Sequence, residues 1–248
     1  MAMLMRGVPQ ISLDNHILMR LSPEESARMR PSMQLTVLSL GQVLYEAGVS
    51  VNHVYFPTTS VVSCLYTTHN GATAEMALAG NDGVIGVAKF LGGDTLPHRA
   101  LVQIGGHAIK VPAGVLQAEF ARGGQLQHML LRYTQALLTQ ISQTAVCNRL
   151  HSVEERLCRW LLLCQDRVNS SEIHMTQENI AHMLGGRRES VTVAAGHLQD
   201  QGLIYYSRGH IKILEREGLE HIACECYRIV ADELYRLVLD YHEKLLRG

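Results

Sequence analysis

Between Met33 and Val111 the apolar residues fall in short runs broken by glycines and polar turn residues, the rhythm of an all-β sandwich or barrel. Val43 and Tyr45, Val54 to Phe56, Val61 to Tyr66, Thr73 to Leu78, Ala100 to Ile104 and His107 to Val111 are the predicted strands. His69-Asn70-Gly71 marks a hairpin, because Asn-Gly tolerates the positive φ of a tight turn, and Gly105-Gly106 separates the last two strands. After Pro112 the period changes to that of a helix. Val115 to Arg122 predicts a short helix, and Leu126 to Arg149 runs without Gly or Pro as one long helix. Leu126, Leu130, Tyr133, Leu137 and Ile141 make its apolar stripe, widened by Met129, Leu131, Leu138 and Ala145. So wide a stripe needs more than one packing partner: its own β module and a second subunit, or else full burial inside one domain.

Ser152 to Val168 predicts a further helix carrying Leu157, Trp160, Leu161 and Cys164, followed by the polar turn Asn169-Ser170-Ser171. From Thr176 two helical segments are separated by Gly185-Gly186-Arg187, the spacing of a helix-turn-helix. Thr176 caps the first, with Asn179 where a full capping box has Glu or Gln, and Ile180 and Leu184 face inward. In the second, Val191, Ala195 and Leu198 face inward, which leaves Arg188, Glu189, Thr192 and Val193 on or near the outward face. Gly202 ends this helix, and Leu203 to Tyr206, the turn Ser207-Arg208-Gly209-His210 and Ile211 to Leu214 predict a β-hairpin wing. Leu219, Ile222, Cys226, Val230, Leu234, Leu237, Tyr241 and Leu245 then predict one amphipathic C-terminal helix.

The order of these zones resembles the Crp/Fnr family of bacterial transcription regulators along nearly the whole chain. Gly41-Gln42-Val43-Leu44-Tyr45-Glu46-Ala47-Gly48 looks like the family's glycine-spaced strand and turn, and Arg188-Glu189-Ser190-Val191 is similar to the Arg-Glu-Thr-Val stretch of DNA-reading members. The resemblance implies an α+β fold: a cyclic-nucleotide-binding-like β-roll (a double-stranded β-helix) as sensor over residues 1–122, a dimerisation helix over 123–150, and a winged helix-turn-helix with an extra C-terminal helix over 151–248. It implies a homodimer on an inverted repeat of double-stranded DNA, RNA polymerase as a further partner, and no cofactor, metal or catalytic residue. Thr176, Gln177, Arg187, Arg188, Glu189, Thr192, Val193 and Arg208 are the DNA-binding candidates. An arginine opening a recognition helix donates two hydrogen bonds to guanine, and a neighbouring glutamate accepts one from cytosine. Val193 stands where family members often carry a second arginine, which implies a different preference at that base step.

The resemblance also frames the sensor. Family members that bind cyclic nucleotides use a Gly-Glu pair on the ribose and an Arg-Ser or Arg-Thr pair on the phosphate. Here Gly86 remains, but Val87 replaces the acid and Ala100 the hydroxyl, leaving Arg99. A ribose hydroxyl left unpaired costs about 1 to 3 kcal/mol, which argues against cyclic AMP and cyclic GMP. Gly83, Gly86 and Arg99 are the effector-pocket candidates, with the effector itself unassigned. The family's iron-sulfur branch uses N-terminal cysteines, whereas the first cysteine here is Cys64.

Composition narrows the alternatives. The formal charge is −1, so a nucleic-acid surface has to be local. Residues 168–248 hold 9 Lys or Arg against 12 Asp or Glu, yet Arg187, Arg188, Arg208 and Lys212 gather on the predicted turn, helix and wing. Six cysteines in 248 residues are too sparse for a disulfide scaffold and read as reduced thiols. No apolar run approaches the roughly 20 residues of a membrane span, and MAMLMRGVPQIS lacks a secretory signal, so a soluble, cytoplasmic protein is expected. The rival class is a cupin-like metal-dependent enzyme or a small-molecule-binding β-roll protein. His53, His69, His98 and His107 show no His-x-His pair, and no glycine-rich phosphate loop or nucleophile motif appears. His221, Cys224 and Cys226 suggest metal ligands, but on a continuous helix Cys224 and Cys226 point to nearly opposite faces, so they are expected to pack structurally.

Overall fold

The structure, a computed structural model, describes residues 14–168 and 170–240. Helix α1 (Pro23–Met29) opens with a capping box: Glu25 N–H donates to Ser22 Oγ at 3.2 Å, and Ser22 N–H donates to Glu25 Oε2 at 2.9 Å. The other oxygen of Glu25 accepts from Leu126 N–H at 3.0 Å, so one buried carboxylate caps two helices.

Seven strands follow: β1 (Gln34–Leu38), β2 (Val43–Tyr45), β3 (His53–Pro57), β4 (Val61–Thr67), β5 (Thr73–Ala79), β6 (Arg99–Ile104) and β7 (Gly106–Pro112). They form two antiparallel sheets, ordered β1-β7-β3 and β2-β6-β4-β5. Period-2 alternation sends Val54, Phe56, Ile109 and Val111 inward from the first sheet, where Val54 pairs with Val111 and Phe56 with Ile109. Val62, Ala100 and Val102 line the second, and Tyr45, Ile85 and Ala108 join them in one apolar cluster. This β module ends in α2 (Ala113–Ala121) and passes through Gly123-Gly124, both at positive φ, into α3 (Gln125–Leu150).

Helix α3 shows which part of its wide stripe serves which purpose. Leu126, Met129, Leu130 and Tyr133 are fully or nearly fully buried against the β module. Gln140 adds a polar pin, accepting from Leu78 N–H at 2.8 Å and donating to Leu78 O at 3.2 Å. Leu131 and Leu138 lie on the opposite face, 49% and 60% exposed.

Helix α4 (Val153–Val168) begins at a second capping box between Ser152 and Glu155. Strand β8 (Glu172–His174), α5 (Gln177–Leu184), α6 (Arg188–Asp200), β9 (Ile204–Ser207) and β10 (His210–Ile213) complete a helix-turn-helix with a three-stranded wing ordered β8-β10-β9. This unit docks on the β module. Val61, Leu65 and Leu78 share one apolar cluster with Trp160, Leu161, Ile180 and Leu184. Arg167 on α4 pairs with Asp82 at 2.9 Å, their side chains 2% and 6% exposed.

The C-terminal segment departs from expectation. It is two helices, α7 (Arg216–Ile222) and α8 (Cys226–Leu234), and a π-helical turn over Tyr235–Leu239, in place of one continuous helix. Ala223 is extended (φ −59°, ψ 140°), which stops α7 and turns the chain before Cys226. Tyr241, Leu245 and Asn169 lie outside the described residues. Helix α8 and the turn pack along α3, where Arg132 donates to the carbonyls of Leu237 and Arg236.

Candidate nucleic-acid interface

Helix α5 starts where the sequence places it: Thr176 Oγ1 accepts from Asn179 N–H at 3.2 Å. Gly185 closes it at φ +61°, a left-handed position that glycine adopts without a Cβ penalty. Arg187 is extended and Arg188 is the first residue of α6. Val191, Ala194, Ala195 and Leu198 are buried, so Arg188, Glu189, Thr192 and Val193 share the exposed side, Val193 at 57% exposure. Thr192 Oγ1 donates to Gln177 Oε1 at 2.9 Å, which ties the first turn of α5 to this face.

The wing hairpin turns on two residues, Arg208 at φ 48° and Gly209 at φ 82°, a type I′ turn whose twist suits the flanking strands. Arginine in the left-handed region costs about 1 to 2 kcal/mol relative to glycine, and it holds an exposed guanidinium at the wing tip. Thr176, Gln177, Glu178, Arg188, Tyr206, Arg208 and Gly209 line an open cleft of about 390 Å³ between α5, α6 and the wing. Thus Thr176, Gln177, Arg188 and Arg208, far apart in sequence, converge on one concavity. Lys212 lies 3.7 Å from Glu172, so its charge is partly answered locally.

The sensor candidates do not converge in this way. The β-roll interior holds a cavity of about 30 Å³, lined by Tyr45, Cys64, Gly86, Val87, His98 and Tyr133 among others. That is room for a water or two, whereas ligand pockets run to about 300 Å³ and more. Tyr45 and His98 fill it as a hydrogen-bonded pair at 3.1 Å. Burial pushes the Tyr45 hydroxyl up and the His98 imidazole down, so both are held neutral. Of the three predicted residues Gly86 borders the cavity. Gly83 is set by packing, since a Cβ there would lie 2.6 Å from the Tyr133 ring. Arg99 neighbours Ala100 on β6, and Ala100 faces inward, so by strand alternation Arg99 lies on the other face.

The β-roll histidines fall apart: His53 opens β3, His69 lies in the turn between β4 and β5, His98 faces Tyr45, and His107 lies on β7. Among the described residues the ligating group that does form is Cys147, His151, Cys224 and Cys226. The expectation that Cys224 and Cys226 diverge assumed a continuous helix, and the break at Ala223 removes that premise. Cys147 and His151, at i and i+4 across the end of α3, are the partners that the sequence reading missed.

Comparison with known proteins agrees with this architecture. Residues 155–222 match the family model of the Crp-like helix-turn-helix domain. FixK2 from Bradyrhizobium japonicum superimposes with a TM-score of 0.66 at 18% identity, over 77% of this chain and 98% of that one. A regulator of the Crp/Fnr family from Eubacterium rectale gives 0.64 at 15% identity, over 82% and 94%. CLP from Xanthomonas campestris, described as a c-di-GMP-responsive global regulator, gives 0.63 at 13% identity, over 77% and 99%. No curated protein sequence matches significantly. The chain therefore shares the fold of the Crp/Fnr regulators, and residues 155–222 carry a Crp-like helix-turn-helix domain. Among the described residues no helix is long and apolar enough to cross a membrane.

Proposed function

We propose that the protein is a homodimeric, sequence-specific DNA-binding transcription regulator in which α6 enters the major groove and the wing tip meets the backbone. The observation that carries this reading is the convergence of Arg188, Thr176, Gln177 and Arg208 on one open cleft beside an exposed α6 face. Arg188 and Glu189 stand at the helix start, where side chains reach base edges, and take the base-reading roles. Arg187, Thr176, Gln177 and Arg208 take positioning contacts to phosphate, and Thr192 and Val193 complete the reading face. Dimerisation through α3 is supported by Leu131 and Leu138, seven residues apart on one face of the helix and 49% and 60% exposed. Two copies related by a two-fold axis would read an inverted repeat with half-sites about one helical turn apart. The filled β-roll cavity supports a reading in which neither cyclic AMP nor cyclic GMP is the effector.

Selection of bound duplexes from random DNA, followed by Arg188→Ala, tests this reading. The variant should lose about 1 to 3 kcal/mol at the selected site and relax one base position in each half-site. Equal loss on selected and random duplexes would make Arg188 a phosphate contact, and undiminished specific binding would remove it from the interface.

A further inference from the structure

The group formed by Cys147, His151, Cys224 and Cys226 lies away from both the DNA-facing cleft and the β-roll cavity. Cys147 sits in the last turn of α3, His151 follows it in the link to α4, and Cys224 and Cys226 flank Glu225 at the bend between α7 and α8. Their candidate donor atoms all lie within 4.8 Å of one another. Cys147 Sγ is 3.5 Å from Cys224 Sγ, and Cys226 Sγ is 3.7 Å from His151 Nδ1. A tetrahedral zinc ion, with Zn–S about 2.3 Å and Zn–N about 2.0 Å, sets its ligand atoms about 3.5 to 3.8 Å apart, so these two edges already have the required length.

The surroundings fit the same chemistry. His151 directs Nδ1 at the thiols while its Nε2 lies 3.3 Å from Glu225 Oε2, the carboxylate partner that fixes the tautomer and orientation of a metal-bound imidazole. All three cysteines are buried, with exposures of 0%, 5% and 0% in chain order. The set is therefore complete and enclosed, with four protein donors, as in a structural rather than a catalytic zinc site. Thiolates with one imidazole select zinc over hard cations such as magnesium or calcium.

We propose that Cys147, His151, Cys224 and Cys226 bind one zinc ion in a closed tetrahedral site that clasps the end of α3 to the α7–α8 bend. Binding replaces the thiol protons with metal–sulfur bonds and releases those protons to solvent, with no change in oxidation state. The clasp fixes the junction at which α3 passes into the helix-turn-helix unit, and it does not depend on whether that unit binds DNA.

The test uses the full chain purified with reductant and without chelator. Elemental analysis should find one zinc per chain. Cobalt(II) added to the stripped protein should produce thiolate-to-metal charge transfer and tetrahedral ligand-field bands that saturate at one equivalent. Cys224→Ser should abolish the saturable bands, and Glu225→Gln should weaken affinity about 10-fold by freeing the imidazole. Cys64→Ser, a thiol outside the group, should leave both readouts unchanged. The cobalt titration of the unaltered chain decides the matter even if a cysteine variant fails to fold. Absence of cobalt bands in the reduced chain, retention of full stoichiometry in Cys224→Ser, or recovery of zinc-free protein with a Cys147–Cys224 disulfide would each overturn the proposal.

Discussion

Replacing Asp82 with alanine should destabilise the protein strongly, because it strands a buried cation between two structural units. The Asp82 carboxylate accepts from Gly80 N–H at 3.0 Å and pairs with Arg167 at 2.9 Å. Removing one member of a buried ion pair costs about 3 to 5 kcal/mol, since the remaining charge keeps its desolvation penalty. Arg167 keeps one compensating bond, Nη1 to Leu163 O at 2.8 Å, which places the expected loss near the low end, about 3 kcal/mol. In a chain of this size each kcal/mol lowers Tm by about 2 to 4 °C, so the variant should melt about 10 °C below its parent. The double variant Asp82→Ala with Arg167→Met removes both charges and should recover part of the loss, because no stranded charge remains, while Gly80 N–H still lacks its acceptor. Calorimetric melting of the parent, both single variants and the double variant measures all the terms. An Asp82→Ala melt within about 1 °C of the parent would show that the pair is solvated in solution and would refute the reasoning.

Two further outcomes follow from burial and exposure. If the proposed dimer forms through α3, Leu138→Glu should yield a monomer in sedimentation with little change in Tm, because Leu138 is 60% exposed within its own chain; a dimer that persists in the variant would move the seam off this face of α3. Burial pushes the Glu75 carboxyl up to about 7, only partly offset by the Ser63 hydroxyl, Arg159, Trp160 and Arg167. The folded chain therefore holds a proton that the unfolded chain releases near its ordinary value of 4.5, so this contribution is fully present below 4.5 and is lost as pH rises through 7. The loss amounts to about 3 kcal/mol, and Glu75→Gln should flatten the corresponding fall in melting temperature between acid and neutral pH; an unchanged slope would assign it to another group.

Much of the fold was legible because it rests on local periods. The strands β2 to β7 follow alternation, and α3 to α6 follow helical spacing with caps at Ser152, Thr176 and Gly185. Helix α1 and strands β1 and β8 went unnamed, since each is short and carries a weak apolar pattern. The break between α7 and α8 was invisible because Ile222-Ala223-Cys224-Glu225-Cys226 contains no glycine or proline and fits a helical stripe. Once that break was missed, the cysteine group was missed too, for it joins Cys147 to Cys224 across 77 positions. The DNA-binding candidates were named from one contiguous motif, whereas the state of the β-roll interior depends on Tyr45, His98 and Tyr133 from three separate parts of the chain.

That filled interior changes what it would take to redesign this protein as a nucleotide sensor. Sequence comparison alone would suggest two edits, an acid at Val87 and a hydroxyl at Ala100, to restore the hydrogen bonds that a cyclic nucleotide expects. Both would fail as a pair. The cavity that Val87 borders is about 30 Å³, and a carboxylate turned into it would face Tyr45 and Tyr133 with no ligand to answer its charge. Excavation has to precede decoration: Tyr45 and His98 must be shortened together, since either alone leaves its hydrogen-bonding partner stranded, and Tyr133 must be reduced on the α3 wall. Truncating either buried tyrosine opens a void, at about 3 to 5 kcal/mol for an aromatic side chain, before any ligand can refill it. A designer would therefore begin from a stabilised scaffold, and would count the vacancy, not the missing polar groups, as the main obstacle.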